Sequence, residues 1–170
     1  MSSITYKVEF FDFWHTGSGL SGSTYADGIV NKNKDGLPVI PGKTIKGLLH
    51  EAADVLNGYD NSLVSALFIE TVFGKAEREP DCHFTNVTLS KKLADKIKAK
   101  QNQSALYQVI TSTAIDDNGQ AKESSLRQLE VTIPLTLYGT IEDIPTSINE
   151  IEFENCFKWV KQLGVNRNRG

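Results

Sequence analysis

At 170 residues the chain is long enough for one domain with a substantial core, and 39% apolar and 23% charged residues are typical of a globular protein. The formal net charge of −3 gives no overall attraction to nucleic acid. No apolar run approaches the roughly 18 residues of a membrane span, and no secretory signal is visible at the N-terminus. Two cysteines outside any CxxC pair argue against a zinc site. We therefore expect a cytoplasmic protein with reduced thiols and no membrane partner.

The first half of the chain predicts a strand, a glycine-rich loop and two helices. Residues 4–13 are rich in β-forming residues and partly alternate between apolar and polar, which predicts a strand. A loop with many glycines follows and ends at a proline-glycine pair. Apolar residues at helical spacing then predict a helix over 43–58, with Gly58 as its stop. A shorter helix is expected over 61–72.

The second half predicts two strands, a hairpin and two further helices. In chain order they are a strand over 83–90, a lysine-rich helix over 91–101, a β-hairpin over 107–126, an alternating strand over 128–141 and an amphipathic helix over 148–164. Asn118-Gly119 is a typical two-residue hairpin turn. The lysines of 91–101 fit a solvated helix face.

The aromatic residues and the last helix give expectations for the core. The inner side of that helix is expected to carry Ile151, Phe157, Val160 and Leu163. Trp14 and Trp159 are also expected in the core rather than as platforms on which bases stack.

The order of the main elements is strand, helix, strand, strand, helix, which predicts an α+β, ferredoxin-like domain over residues 1–170. The hairpin at about 107–126 is an insertion, and the final strand of the βαββαβ pattern is missing. In the usual strand order 4-1-3-2, this strand would lie beside the first one. We therefore expect an open sheet edge at residues 4–13, covered by another chain or by a following segment, or a chain that is a fragment of a longer product.

The start of the first helix contains Gly42-Lys43-Thr44, which invites comparison with a phosphate-binding P-loop. The spacing does not fit, because five residues separate Gly36 from Gly42 and two of them are prolines without N–H donors. A helix N-terminus with Lys43, Thr44 and Lys46 instead fits a single backbone phosphate of a nucleic acid. The alternative is a helix start with a solvated lysine.

Four stretches together resemble the RAMP superfamily of CRISPR-associated proteins, in particular the backbone subunit of type III effector complexes. They are "WHTGSG" at 14–19 with Asp27 beyond it, "DGLPVIPGKTIKGLLHEAA" at 35–53, "TAIDDNGQAKESSLRQLEV" at 113–131 and "LGVNRNRG" at 163–170. The third stretch resembles the family's thumb hairpin followed by its third core strand. The last resembles its late glycine-rich loop.

The resemblance implies a subunit of an antiviral ribonucleoprotein that binds guide RNA and target RNA beside sibling RAMP subunits. It also implies that Asp27, in the flexible loop after the first strand, cuts the target RNA with Mg²⁺ or another divalent cation. A carboxylate can hold such a cation near a phosphate that the adjacent 2′-hydroxyl attacks. The alternative is that Asp27 is a turn residue before Gly28.

The resemblance and the chemistry of the residues themselves together give further expected site residues. His15 is expected to bind guide RNA or to take part in its processing, and the alternative is a buried, structural histidine. The remaining expected RNA contacts are Ser18, Tyr25, Lys43, Thr44, Lys46, Thr113, Ile115, Arg167 and Arg169. Two other functions stay open: a structural RAMP subunit without catalysis, and a small-molecule-binding ferredoxin-like domain.

Overall fold

The computed structural model describes residues 1–20, 26–115, 117, 119–120, 125–161 and 163. The strands are β1 (Ser2–Glu9), β2 (His83–Phe84), β3 (Tyr107–Ser112), β4 (Arg127–Thr132) and β5 (Thr136–Ile144). The helices are α1 (Gly42–Tyr59), α2 (Ala66–Val72), α3 (Lys91–Ala99) and α4 (Glu150–Trp159), and a short 3₁₀ helix spans Gln103–Leu106. The predicted α+β class is confirmed.

The strands form a three-stranded sheet in the order β1-β5-β2 and a separate pair of β3 and β4. β2 and β5 are antiparallel, with Phe84 opposite Ile141. The succession β1, α1, β2, β5, α4 and the strand order agree with positions 1, 3 and 2 of the predicted ferredoxin-like order. Within the described part of the chain, β1 lies at the edge of its sheet, where the missing strand is expected.

The chain forms two compact units, and the sequence-based assignment of all 170 residues to one domain stays a prediction. The first unit contains Met1–Val8, Ile40–Thr88 and Leu137–Leu163, and therefore most of the three-stranded sheet with α1, α2 and α4. The second contains the described residues of Glu9–Val39 and Leu89–Thr136, and therefore the described part of the glycine-rich loop, α3 and the β3-β4 pair.

Helix α1 buries one apolar face in the first unit. Five of its residues are buried at the predicted helical spacing: Ile45, Leu49, Ala52, Ala53 and Leu56. Its first residue, Gly42, lies so close to β2 that a Cβ at this position would collide with the Phe84 carbonyl oxygen. The Asn86 side chain accepts a hydrogen bond from the Gly42 N–H at 2.9 Å and so supplies the partner that a helix start requires.

Two predicted strand assignments are wrong around the hairpin. The predicted strand over 128–141 is two strands, because Pro134 lies between β4 and β5 and has no N–H for a strand ladder. β4 pairs with β3, from Tyr107 opposite Thr132 to Ser112 opposite Arg127. The returning arm of the hairpin is therefore β4, and Asn118 of the predicted turn lies outside the described residues.

Other predicted boundaries shift as well. The first strand ends at Glu9 rather than at residue 13, and α2 begins at Ala66 rather than at 61. The strand over 83–90 is reduced to two residues followed by single pairings at Val87 and Thr88.

Helix α4 turns a different face inward than its apolar pattern predicts. Phe153 and Cys156 are buried, whereas Ile151 is 57% exposed and Trp159 is 53% exposed, so both are wrongly predicted as core residues. The polar Glu152 lies on the inner side and accepts hydrogen bonds from the Ser65 N–H and hydroxyl at 2.8 and 2.7 Å. This pairing sets the rotation of the helix. Trp14, by contrast, is buried as predicted.

Among the described residues, no helix combines the length and the apolar character that crossing a bilayer requires.

Candidate functional site

Strand β4 organises the second unit because chain segments pair along both of its edges. One edge carries β3. At the other, Trp14 and Thr132 exchange backbone hydrogen bonds of 3.0 and 2.8 Å, and Gly28 pairs with Leu129. The strand therefore joins the base of the hairpin to the glycine-rich loop.

Asp27 is held beside this strand by two hydrogen bonds to one residue. Its N–H donates to the Gln128 carbonyl at 2.7 Å, and its Oδ2 accepts from the Gln128 N–H at 2.7 Å. The side chain is nevertheless exposed. The structure thus fixes the orientation of an accessible carboxylate next to the hairpin.

Glu130 is the central polar residue of the site, and its side chain is 2% exposed. Oε2 accepts from the Val30 N–H at 3.0 Å, and Oε1 accepts from the Lys32 ammonium at 2.8 Å. The Glu130 N–H donates to the Gly28 carbonyl at 3.0 Å. One buried carboxylate and its backbone therefore hold residues 28–32 against β4.

His15 belongs to the same network and is only 7% exposed. Its Nδ1 lies 2.7 Å from the Glu130 carbonyl oxygen, which can only accept, so Nδ1 carries the proton. This burial is what the structural alternative for His15 expects. Its role in binding or processing guide RNA stays a prediction.

Two glycines allow the loop to close around the His15 ring. A Cβ at Gly17 would be 3.0 Å from His15 Nε2. A Cβ at Gly28 would be 2.9 Å from the Leu129 side chain and 3.6 Å from His15 Cε1. In the described part of the loop, these glycines serve close packing around a histidine.

Lys32 links the loop to the first strand of the hairpin. Its ammonium is paired with Glu130 and also lies 3.9 Å from the centroid of the Tyr107 ring, a cation–π contact. The Tyr107 hydroxyl donates to the Gly36 carbonyl at 2.7 Å. Burial and, second, the Glu130 charge raise the pKa of Tyr107, so it remains a neutral donor.

The other predicted contacts in this unit differ in accessibility. The Ser18 hydroxyl donates to the Ile29 carbonyl at 3.1 Å and so takes part in the loop itself. Thr113 pairs with the Ser125 hydroxyl at 2.8 Å, and Ile115 is 69% exposed beyond the paired arms of the hairpin. Their contacts with RNA stay predictions.

The three predicted phosphate contacts at the start of α1 lie in the first unit. Lys43 is exposed, while Thr44 and Lys46 are partly buried. The Thr44 N–H is already bonded to the Pro41 carbonyl at 2.9 Å. Burial lowers the pKa of Lys46. Tyr25, Arg167 and Arg169 lie outside the described residues.

Glu130 was missed by sequence reasoning, although a signal is present. It is a charged residue followed directly by Val131 and Thr132 in a segment with strand character. A carboxylate within a buried strand requires partners, and it therefore marks a polar network.

The described residues fit a divalent cation that is held by one carboxylate together with waters and RNA phosphates. Within the described ranges, no group of three or more His, Cys, Asp or Glu side chains is placed to hold a metal ion together. Mg²⁺ commonly binds one or two carboxylates and completes its shell with waters and substrate phosphates. Asp27 suits this arrangement because its carboxylate is exposed and oriented.

The order of the elements defines the class of protein. The chain is an α+β protein of ferredoxin-like order with a hairpin inserted before the third core strand. The family model of the RAMP superfamily matches residues 7–163, and the chain belongs to this superfamily.

Solved structures share the fold. A chain of the Type III-B Cmr-beta complex bound to cognate target RNA has a TM-score of 0.74 at 11% identity, over 100% of this chain and 94% of that chain. A chain of the apo-state Type III-B Cmr-beta structure has a TM-score of 0.69 at 13% identity, over 99% and 94% of the two chains. No curated protein sequence matches the chain.

Proposed function

We propose that this chain is a subunit of a type III CRISPR ribonucleoprotein effector. The subunit binds the backbone of the guide RNA and uses Asp27 to cut target RNA with a divalent cation. Sibling RAMP subunits and the two RNAs are its partners, and the cytoplasmic location expected from the sequence is part of the proposal. The observation that carries it is the exposed Asp27 carboxylate, bonded to Gln128 at the base of the hairpin in a member of the RAMP superfamily. The Cmr-beta structure with a similar fold contains target RNA.

The proposed reaction uses the RNA's own nucleophile. The 2′-oxygen forms a bond to the adjacent phosphorus, and the bond from phosphorus to the 5′-oxygen breaks. Water accepts the proton of the 2′-hydroxyl and donates a proton to the leaving 5′-oxygen. Catalysis then consists of placing the phosphate in line and neutralising developing charge. A divalent cation, when bound, supplies that positive charge. Asp27 would hold it, and the bond from the Gln128 N–H fixes the direction of the carboxylate before RNA arrives.

The test is the substitution Asp27→Asn in the assembled complex. The amide oxygen can still accept from the Gln128 N–H, so the loop keeps its geometry while the charge is lost. Cleavage at this subunit's position should fall by about 100-fold or more, as for the loss of an electrostatic catalytic group, while guide RNA is retained. Cleavage is measured by gel electrophoresis of labelled target RNA.

A matched control is Asp12→Asn, since Asp12 is also exposed and accepts a backbone N–H, that of Phe13, at 2.7 Å. It should cut at the wild-type rate. Undiminished cleavage by Asp27→Asn would exclude the catalytic role.

The second candidate is a RAMP subunit that binds guide RNA without cutting. The bonds between Asp27 and Gln128 favour it, because they also suit a residue that only closes a loop. In that case, Asp27→Asn leaves target RNA uncut as in the wild type, and guide binding persists in both proteins.

A further inference from the structure

Helix α3 carries a row of lysines on its outer side. Lys92 and Lys96 lie in α3, and Lys100 is its C-cap with a helical backbone conformation. Their spacing of four residues therefore brings the three to one side of the helix at steps of about 6 Å along its axis. All three are exposed. We call these three residues the lysine stripe.

The acidic residues near α3 are engaged by a different lysine. Lys98 lies on the half-buried side and pairs with Asp95 at 3.3 Å and with Asp35 at 3.6 Å. The hydrogen bond to Asp95 and then the charge of Asp35 raise the pKa of Lys98. Within the described part of the chain, no ion pair reaches the lysine stripe.

Helix stability does not explain the stripe. Lysines in the last turn suit the helix dipole, but Lys91 and Lys92 occupy the first turn, where a cation is disfavoured and where α3 has no acidic residue. Local sequence preferences that are violated without an evident structural gain commonly mark function.

The chemistry of the stripe favours a polyanion over a protein surface. Protein interfaces are depleted in lysine and depend on buried aromatic and arginine side chains. Among the described residues of α3, Leu93 is the one large apolar residue that is exposed, at 37%. Lysine ammonium groups act as point charges and suit a phosphate backbone that is bound without regard to sequence.

The position of α3 connects it to the site. Asp35 pairs with Lys98, and the Gly36 carbonyl is bonded to Tyr107, so the turn that continues from the loop at 27–32 is attached to both α3 and the hairpin. We infer that the lysine stripe is a second surface for an RNA backbone in the unit that carries Asp27. This inference rests on the proposed function.

The test compares RNA affinity of the full chain across a series of salt concentrations. The first variant is Lys92→Gln/Lys96→Gln/Lys100→Gln. The matched control is Lys75→Gln/Lys158→Gln/Lys161→Gln, which removes the same charge from the other unit, where Lys75 and Lys158 are paired with Glu70 and Glu154. Binding of a fluorescein-labelled single-stranded RNA is measured by anisotropy.

The stripe variant should bind more weakly. The magnitude of the negative slope of log affinity against log salt should fall by about 2, since each of three phosphate contacts on a single strand contributes about 0.7. The control should keep the wild-type slope. If both variants lose equally, only net charge matters and the inference fails. If the stripe variant matches the wild type, the inference fails while the proposed function stands.

Two further outcomes are distinguished. A wild-type chain without salt-dependent RNA binding would overturn the inference, whereas the proposed function is tested separately by cleavage with Asp27→Asn in the assembled complex. Poly-glutamate is added as a competitor at the same concentration of charge as the RNA. If it displaces RNA from the wild type but not from the stripe variant, the surface suits an acidic protein partner, and its assignment to RNA is overturned.

Discussion

Glu130 positions the loop that carries the candidate site, although it is not one of the groups proposed to act on RNA. Its carboxylate lies in the interior with bonds to the Val30 N–H and the Lys32 ammonium. A buried ion pair contributes modestly as a pair, but removal of one partner leaves an uncompensated charge. The two partners should therefore respond differently to substitution.

We expect Lys32→Met to lower the free energy of unfolding by about 3–5 kcal/mol, because the Glu130 charge remains buried. Glu130→Gln should cost less, about 1–3 kcal/mol, since the amide still accepts from the Val30 N–H. The double variant should be more stable than Lys32→Met alone. Urea unfolding of the three variants measures this, and additive losses would contradict the coupling.

At the scale of the element, the start of α1 is set by contact with β2. A side chain at Gly42 would collide with the Phe84 carbonyl, whereas Gly47 in the same helix has open space around it. Gly42→Ala should therefore destabilise the protein by more than about 2 kcal/mol. Gly47→Ala should stabilise it by about 0.5–1 kcal/mol, because alanine favours the helix. Thermal unfolding compares them, and similar effects would contradict the packing.

The helices with strong apolar spacing could be predicted from sequence, and α1 was found within one residue at each end. The hairpin was predicted at nearly the right place but with the wrong partner. Asn118-Gly119 is a strong local signal, yet the register is set by pairing over Tyr107–Ser112 and Arg127–Thr132, which the turn does not reveal. The prediction for the inner face of α4 was wrong for a related reason, because the hydrogen bonds from Ser65 to Glu152 are tertiary contacts that the apolar pattern does not reveal.

Much of the site was beyond sequence reasoning. The positions of His15 and Asp27 followed from the resemblance, but their bonds to Glu130 and Gln128 join residues about a hundred positions apart. Such contacts depend on tertiary packing, and no local pattern encodes them.

At the scale of the whole molecule, buried neutral acids predict a response to alkaline pH. Burial raises the pKa of Cys82 to about 11, that of Cys156 to about 12 and that of Tyr6 to about 12. These groups ionise in the unfolded chain from about pH 9 for the thiols, whereas the folded protein keeps them protonated. Stability is therefore complete below this range and is lost as pH rises through it.

Thermal unfolding at a series of pH values from 8 to 11 should show this loss, and Cys82→Ala/Cys156→Ala should weaken the pH dependence relative to the wild type. An unchanged melting temperature across the range would contradict the prediction.

Strand β4 has a mechanical consequence. Its backbone bonds to β3 on one side and to Asp27 and Gly28 on the other. We therefore expect these segments to move together. An RNA that tilts the hairpin at its base would thereby move the Asp27 carboxylate as well. The amide hydrogens of Asp27 and Gln128 should accordingly exchange with solvent at the same rate as those of the β3-β4 pair. Faster exchange at Asp27 would show that the loop and the hairpin are not coupled. Under the proposed function, contact of RNA with the hairpin and alignment of the carboxylate would then be one and the same displacement, transmitted by the strand.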